Sequence, residues 1–192
     1  MAPALRVTGD DDADHLVSED PLALLIGMLL DQQIPMEWAF MGPLRLQQRL
    51  GGELDAGRIA AMEEDELREI FAEKPALHRF HGSMAKRTHR LCQHLVDNYD
   101  GDAAAVWRTA EDPEELLDRL QALPGYGEEK SKIFLAILGK RFGVAPDGWE
   151  EHAGPFGDDE PRSVADIGSP EALEEVREWK RQQKAKGKSK AD

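Results

Sequence analysis

Apolar residues recur every three or four positions along most of this 192-residue chain, with polar residues between them. This spacing places the apolar side chains on one face of an α-helix, and no segment shows the strict alternation typical of strands. Three of the apolar runs begin after a short polar residue and a proline, a pair that favours the first turn of a helix. The pattern therefore predicts an all-α fold. In the first half of the chain, helices are predicted over Asp20–Gln32, from Pro35 with a kink or break at Gly42-Pro43, over 64–74, and from a cap at Ser83 to Tyr99. In the second half they are predicted from Asp112-Pro113 to Leu123, over Glu128–Phe142, and from Ser169-Pro170 to about Gln183. A long irregular loop is predicted over 144–168.

The composition is that of a chain able to build a core. Hydrophobic residues make up 41% of it, enough for one domain or two lobes that share a core. The longest apolar run, PLALLIGMLL, is too short to cross a bilayer and no signal peptide is visible, so we expect a soluble, cytoplasmic protein without membrane contact. Cys92 is the only cysteine, which excludes an internal disulfide and a four-cysteine metal or iron–sulfur site. The histidines follow no metal-ligand spacing, so no metal site is expected.

The charge is acidic and unevenly distributed. The net charge is −14, whereas domains that bind nucleic acid usually carry a basic patch. The sequence predicts an acidic disordered leader (1–17), a domain over 18–183 and a basic, low-complexity, disordered tail (184–192). The tail contributes either to solubility or to the binding of nucleic acid. The acidity makes nucleic acid a less expected partner without excluding it, because one basic face can coexist with an acidic remainder.

The short segment LPGYG stands between two of the predicted helices. Gly125 and Gly127 permit backbone conformations closed to other residues, and they let a flat surface come close. The second helix presents free N–H groups at its first turn, which together with the helix dipole form an anion site suited to a DNA phosphate. Lys130 and Lys132 follow and add positive charge. The sequence thus indicates a helix–hairpin–helix motif over 113–142 that holds DNA, although a plain turn between helices contains the same glycines.

Three segments, in this order along the chain, resemble the helix–hairpin–helix DNA glycosylase superfamily, the Gly-Pro-Asp group that includes endonuclease III and the 3-methyladenine glycosylases. LLIGMLLDQQIPMEWAF is similar to the family's early helix, with Gln33 at the position of a glutamine that enters the duplex. FHGSMAKRTHRLCQHLV is similar to its loop and helix beside the base pocket. LPGYGEEKSKIFLAILGKRFGVAPD is similar to its hairpin and the aspartate about twenty residues later, here Asp147. The resemblance covers about residues 18–147 and implies two helical lobes with the hairpin beside a central cleft.

The resemblance implies a role for each of several residues. Asp147 is implied to stabilise the positive charge that develops on the sugar as the N-glycosidic bond breaks, and to orient the attacking water. Gln33 is implied to fill the space left by a base rotated out of the duplex. The sequence after Asp147 departs from the family, which usually continues with His or Asn and then Arg, so Glu150, Glu151 and Asp31 remain alternative carboxylates. The implied DNA contacts are Gly125, Tyr126, Gly127, Lys130, Lys132 and Gln33, and the implied base pocket is Asp31, Gln32, His81 and Trp149.

Family members that also cleave the DNA strand carry a Schiff-base lysine two residues after the second hairpin glycine. Glu129 takes that position here, and Lys130 follows one residue later, turned by about 100° around the helix. A monofunctional, hydrolytic glycosylase is therefore expected, without a cofactor or cluster, although a monovalent cation on the hairpin carbonyls is compatible with the resemblance. The expected partner is double-stranded DNA with a damaged or mismatched base, bound by a monomer at the nucleoid. Two other hypotheses stay open, namely a non-catalytic binder of DNA structures on the same scaffold and a protein-interaction module.

Overall fold

The computed structural model of the protein describes residues 2–192, and these residues form helices and turns with no strand among them. The prediction of an all-α fold is confirmed. Within the same residues, no helix combines the length and the apolar character needed to cross a membrane. The helices are α1 (Asp11–Glu19), α2 (Pro21–Leu30), α3 (Met36–Leu50), α4 (Ala56–Ala61), α5 (Glu64–Ala72), α6 (His81–Tyr99), α7 (Ala105–Arg108), α8 (Pro113–Ala122), α9 (Glu128–Ile137, continued by a π-helical turn, Leu138–Phe142), α10 (Trp149–His152) and α11 (Pro170–Ala185).

Side-chain caps define three of the helix starts that the sequence predicts. Asp20 accepts hydrogen bonds from two backbone N–H groups of α2 at 2.9 and 3.2 Å. Asp112 and Ser169 cap α8 and α11 in the same way, each directly before a proline. One such cap contributes about 1 kcal/mol to stability. The predicted cap at Ser83 is wrong, because α6 begins two residues earlier, at His81, and has no side-chain cap.

Helix α2 lies at the centre of the core, and all of its residues from Leu22 to Leu30 are buried. Helix α3 packs closely against it at two glycines. A β-carbon on Gly27 would lie 2.8 Å from the ring of Phe40, and one on Gly42 would overlap the side chain of Leu30. Helix α3 continues through Pro43 without the break that the sequence suggests, because tertiary contacts with α2 bury this part of the helix.

The predicted disordered leader is instead folded. Leu5 and Val7 are completely buried in the core, and residues 11–19 form α1. The buried carboxylate of Asp14 accepts hydrogen bonds from the N–H groups of Val7 and Thr8 at 3.1 and 3.0 Å. The acidic run lies at the first turn of α1, where negative charge is favourable for the helix dipole. The acidic run therefore marks the start of a helix and not a disordered, solvated tail.

The C-terminal part of the chain also folds back onto the body. Helix α11 extends to Ala185, and the remaining residues turn so that the Lys190 ammonium lies 2.9 Å from a carboxylate oxygen of Glu129. The Arg162 guanidinium donates to the Lys190 carbonyl oxygen at 3.3 Å. The loop predicted over 144–168 contains α10 and two 3₁₀ turns, and it buries Phe156 and Ile167. The predicted disordered tail is thus attached to the surface beside the hairpin.

Candidate functional site

The two glycines of the hairpin have different roles. Gly125 has φ 85°, a left-handed conformation that other residues rarely adopt, and a β-carbon there would overlap the side chain of Leu29. Gly127 has φ −84° and precedes α9 without a side-chain cap, and no described atom lies within 4 Å of its β-carbon position. The fold therefore requires Gly125. Gly127 leaves the N–H groups at the start of α9 open to an approaching ligand.

Tyr126, which the resemblance places among the DNA contacts, is instead buried between the hairpin and α2. Its hydroxyl donates a 2.7 Å hydrogen bond to the Leu25 carbonyl oxygen, and its ring meets that of Phe134 edge to face. Burial raises the pKa of Tyr126 well above its ordinary value. The side chain fastens the hairpin to the central helix and is not available to DNA.

Lys130 and Lys132 also differ from each other. The Lys130 ammonium donates to the carbonyl oxygens of Met28 and Leu29 at 2.7 and 3.0 Å, with the Asp31 carbonyl oxygen at 3.5 Å. These are carbonyls of the last turn of α2. Each accepts one further hydrogen bond, Met28 from the Asp31 N–H at 3.2 Å and Leu29 from the Gln32 side chain at 3.1 Å. Burial lowers the pKa of Lys130 to about 8. Lys132 pairs with Glu128 at 2.7 Å on the surface, so only Lys132 keeps the outward position expected of a phosphate contact.

The turn after α2, residues 31–35, is here called the Gln loop. Gln33 lies at its tip, exposed, with φ 57°, a left-handed conformation that is uncommon for a residue with a side chain. Within the described chain its side chain makes no hydrogen bond. Gln32, in contrast, is held by a donated bond to the Leu29 carbonyl oxygen at 3.1 Å and an accepted bond from Arg87 at 2.8 Å. The loop thus presents one unpaired glutamine to solvent.

His78 also anchors the Gln loop. Its Nε2 lies 3.0 Å from the carbonyl oxygens of both Leu30 and Gln32, and its Nδ1 accepts the backbone N–H of Phe80 at 2.9 Å. Because Nδ1 is an acceptor, the ring is neutral and carries its proton on Nε2. Burial lowers the pKa of His78 below its ordinary value, which favours the same state. His78 is therefore a structural residue of the loop.

A cavity of about 750 Å³ opens between the Gln loop, the start of α9 and the C-terminal helix α11, and is here called the Gln-loop pocket. Apolar side chains line part of it, including Met28, Ile34 and Ile133. Charged side chains line the rest, and they come from all three elements. These are Asp31 of the loop and Glu37 just after it, Glu128, Glu129 and Lys130 from α9, and Arg177, Lys180 and Lys190 from the C-terminal region.

Asp31 is the carboxylate of this pocket that has no direct partner. In the part of the chain that the structure describes, its carboxylate oxygens form neither a hydrogen bond nor an ion pair. Burial raises the pKa of Asp31, and the positive charges of Lys180, Lys130 and Lys190 oppose that shift. Residues 2–192 contain no group of three or more His, Cys, Asp or Glu side chains placed to hold a metal ion. The arrangement suits electrostatic stabilisation of a positive charge by a single carboxylate.

Asp147, the carboxylate predicted from its distance along the chain, lies in a different cavity. It is exposed in a groove with Trp107, Arg108 and Pro113, and within residues 2–192 it forms no hydrogen bond or ion pair. Trp149 packs against Gly139 at the end of α9, and His81 lies at the first turn of α6. The Gln-loop pocket is lined by none of these residues, nor by the alternative carboxylates Glu150 and Glu151. The structure therefore brings Asp31, Gln32 and Gln33 together with the hairpin, and it does not add Asp147, Trp149 or His81 to them.

The comparison with protein families decides the identity. The family model of the HhH-GPD superfamily, described as base excision DNA repair proteins, matches residues 26–191. The chain belongs to this superfamily. The HhH-GPD match begins inside α2 and reaches the last residues after α11, so the domain extends well beyond the stretch over which the sequence motifs are recognisable. No curated protein and no solved structure matches the chain significantly.

The full extent of the HhH-GPD domain includes pocket residues that motif analysis misses. Arg177, Lys180 and Lys190 come from the C-terminal region, which the sequence indicates only as a basic run. Arg177 pairs with Glu37 and thereby joins α11 to the start of α3. His78 lies next to the recognised loop, but its role depends on contacts more than 40 residues away in the chain. The sequence shows that these residues are charged, but it does not show the direction in which each side chain points.

Proposed function

We propose that the protein is a DNA glycosylase of base excision repair. It binds duplex DNA that contains a damaged or mismatched base, rotates that base into the Gln-loop pocket and hydrolyses its N-glycosidic bond. The observation that carries the proposal is the convergence of an unpaired glutamine, a carboxylate without a partner and an open helix start on one preformed cavity. Membership of the HhH-GPD superfamily supports the same reaction class. We propose that it acts as a monomer on chromosomal DNA in the cytoplasm.

Binding would begin at the hairpin. The N–H groups at the start of α9 are open at Gly127 and favour a backbone phosphate, and Lys132 lies one turn further on. Such contacts hold the duplex without reading its sequence. Gln33 is exposed beside the same cavity, and its amide can occupy the space that an extruded base leaves behind. The Gln loop is held in place by hydrogen bonds, which supports this role, because a side chain inserted between stacked bases must keep its position.

The carboxylate in the proposed reaction is Asp31. Breaking the N-glycosidic bond develops positive charge on the sugar, and a carboxylate in a partly desolvated pocket stabilises that charge more strongly than one in water. The ammonium groups of Lys130 and Lys180 favour the ionised form of Asp31 before the base arrives. The same oxygen atoms can accept a proton from the attacking water. Asp147 stays the alternative carboxylate, supported by its position in the sequence motif.

A hydrolytic reaction without strand cleavage is favoured by the partners of Lys130. Its ammonium donates to carbonyl oxygens of α2, so its nitrogen is not free to attack a sugar. Glu129, at the position expected for a Schiff-base lysine, pairs with Lys190. We therefore propose that water, and no amine of the hairpin, attacks the sugar.

The proposal is tested by an incision screen with duplexes that each carry one modified base, with the Asp31→Asn and Asp147→Asn variants side by side. We expect wild-type protein to release at least one base, and Asp31→Asn to lower turnover by about 10²- to 10³-fold with binding retained, by analogy with the loss of one preorganised electrostatic contact. Asp147→Asn is the matched control and should keep most of the turnover. The reverse result would assign the reaction to Asp147. Borohydride should trap no covalent adduct with DNA.

A non-catalytic binder of DNA structures is the second candidate, and one observation favours it. Asp147, which the sequence motif places at the position of the family's catalytic aspartate, is exposed in a groove separate from the Gln-loop pocket. A protein on this scaffold that binds distorted duplexes tightly, but releases no base in the screen, would have this second function.

A further inference from the structure

The C-terminal helix brings one lysine into the Gln-loop pocket in a fixed position. Lys180 lies on α11, and neighbouring residues of that helix hold it to the rest of the domain. Arg177 forms an ion pair with Glu37, and Trp179 donates to Glu160 at 3.1 Å while its ring lies beneath the guanidinium of Arg162. Helix α11 is thus attached to the rest of the domain at two residues shortly before Lys180. The location of this side chain at the pocket follows from the fold and not from a mobile tail.

The ammonium group of Lys180 is short of partners. Its hydrogen bond in the structure is to the sulfur of Met36 at 3.4 Å, and sulfur is a weak acceptor. Within residues 2–192 no carboxylate lies within ion-pair distance of it, whereas Arg177 and Lys190 each have a glutamate. Burial lowers the pKa of Lys180, and Asp31 opposes the shift. An ammonium that is partly desolvated and poorly bonded offers its N–H groups to whatever enters the pocket.

The pocket also disfavours a positively charged base beside Lys130 and Lys180. Glu37, Glu128 and Glu129 are each paired with a cation. Within residues 2–192, the charged groups of the pocket left without an ion pair are Asp31, Lys130 and Lys180, one negative and two positive. No aromatic side chain lines it among the described residues, so a cation could not be bound over the face of a ring. Met28 and Ile133 supply apolar surface against which a flat neutral base can lie.

We propose that Lys180 selects deaminated bases, in which an exocyclic amino donor has become a carbonyl acceptor. The inference rests on the proposed glycosylase function and specifies its substrate class. The ammonium donates to the new carbonyl oxygen, whereas an amino group at the same position presents a donor to a donor. Bases that carry a positive charge from alkylation meet the two ammonium groups and are rejected. Charge on Lys180 thus contributes to the choice of base and not to the attachment of the duplex.

The test measures binding, so that it does not depend on turnover. Duplexes would carry 2′-fluoro nucleotides with uracil, cytosine or cationic 7-methylguanine, each opposite an abasic site, since the fluorine destabilises the sugar cation and blocks cleavage. Cytosine has an amino group where uracil has a carbonyl, so this pair tests the hydrogen bond, and 7-methylguanine tests the charge. We expect wild-type protein to bind the uracil duplex about tenfold or more tightly than the cytosine duplex, the range for one hydrogen bond to a charged group, and to bind the 7-methylguanine duplex more weakly than the uracil duplex. Lys180→Met should bring the uracil and cytosine affinities to within about twofold, and Lys180→Arg should keep most of the difference. Arg181→Met, which removes a cation from the next position of α11 where it pairs with Glu178, should leave the wild-type ratio unchanged.

Two results would overturn the inference. One is wild-type protein that binds cytosine or 7-methylguanine as well as or better than uracil. The other is a Lys180→Met variant, folded by its thermal unfolding curve, that loses affinity for all three duplexes equally, because Lys180 would then contact phosphate. If Lys180→Met fails to fold, Lys180→Gln replaces it, and the wild-type ratio is decisive by itself. An incision screen without any released base, together with a Lys180-dependent preference for uracil, would disprove the glycosylase function while leaving this inference intact.

Discussion

The ammonium nitrogen of Lys130 lies 2.7 Å from the carbonyl oxygen of Met28, a residue 102 positions earlier in the chain. This contact joins the start of α9 to the C-terminal end of α2, and it fixes the hairpin relative to the Gln loop. A residue expected to contact DNA thus performs a structural task between the two elements that form the pocket.

Replacing Lys130 by Met should destabilise the fold, because two carbonyl oxygens at the end of α2 would each lose one of their donors. The expected loss is about 1–3 kcal/mol in the free energy of unfolding, measured with urea. Lys132→Met is the control, since a surface ion pair contributes about 1 kcal/mol or less. Equal small effects of both changes would contradict the structural role of Lys130.

Lys130 should also produce a defined dependence of stability on pH. Its pKa is about 8 in the folded protein and higher in the unfolded chain, so the unfolded state binds more protons between about pH 8 and 10. The contribution of this group to the free energy of unfolding therefore rises as the pH rises through that window. The difference in stability between wild type and Lys130→Met should increase accordingly, and a difference independent of pH would refute the lowered pKa.

His78 should make the Gln loop sensitive to acid. Because its folded pKa is lowered, the unfolded chain takes up a proton first, and stability contributed by the neutral ring is present above about pH 6.5 and is lost as the pH falls below it. His78→Gln should remove this part of the pH dependence in unfolding experiments between pH 5 and 7.5. His94→Gln, which changes a histidine of α6 outside the loop, should keep it. Equal profiles for wild type and His78→Gln would show that the ring is not neutral in the folded state.

The left-handed backbone at Gln33 should lower the stability of the fold, while its side chain should serve base extrusion. Its left-handed backbone costs about 1 kcal/mol, so Gln33→Gly should leave stability unchanged or raise it by up to about 1 kcal/mol. The same variant lacks the proposed wedge and should flip a base less often, which 2-aminopurine fluorescence in a duplex reports. Gln33→Ala keeps the backbone strain and removes the wedge, so it separates the two effects. Normal base extrusion by both variants would assign the loop to packing alone.

Replacing the two hairpin glycines by alanine should affect different properties, stability at Gly125 and DNA binding at Gly127. Gly125→Ala combines a left-handed φ with overlap on Leu29, and it should lower the free energy of unfolding by about 2 kcal/mol or more. Gly127→Ala meets open space and should change stability by less than about 0.5 kcal/mol. It should nevertheless weaken binding to every duplex alike, because a side chain would stand before the open N–H groups. Unchanged affinity in a folded Gly127→Ala protein would make the hairpin a simple turn.

The sequence by itself determined the helical elements and the motif that they support. Helix starts depend on short-range contacts, and Asp20, Asp112 and Ser169 cap the helices that their neighbours in the sequence predict. The apolar period of three to four residues is likewise a local property, and it yields the all-α class directly. The glycines of the hairpin are visible for the same reason, since backbone freedom belongs to the residue itself.

Only the tertiary structure decided which polar side chains share a cavity. Tyr126 and Lys130 bond to residues about 100 positions away, so nothing near them in the chain reveals that they face inward. The leader is acidic in composition, yet Leu5 and Val7 gain enough by burial to fold it against the core. Asp147 has the spacing of the motif, but a number of residues along the chain does not say where the side chain lies in space. The chain turns at Gly143 after the last turn of α9 and carries Asp147 to another groove, while Asp31 and Lys180, 149 positions apart, line the same pocket because α11 packs across it.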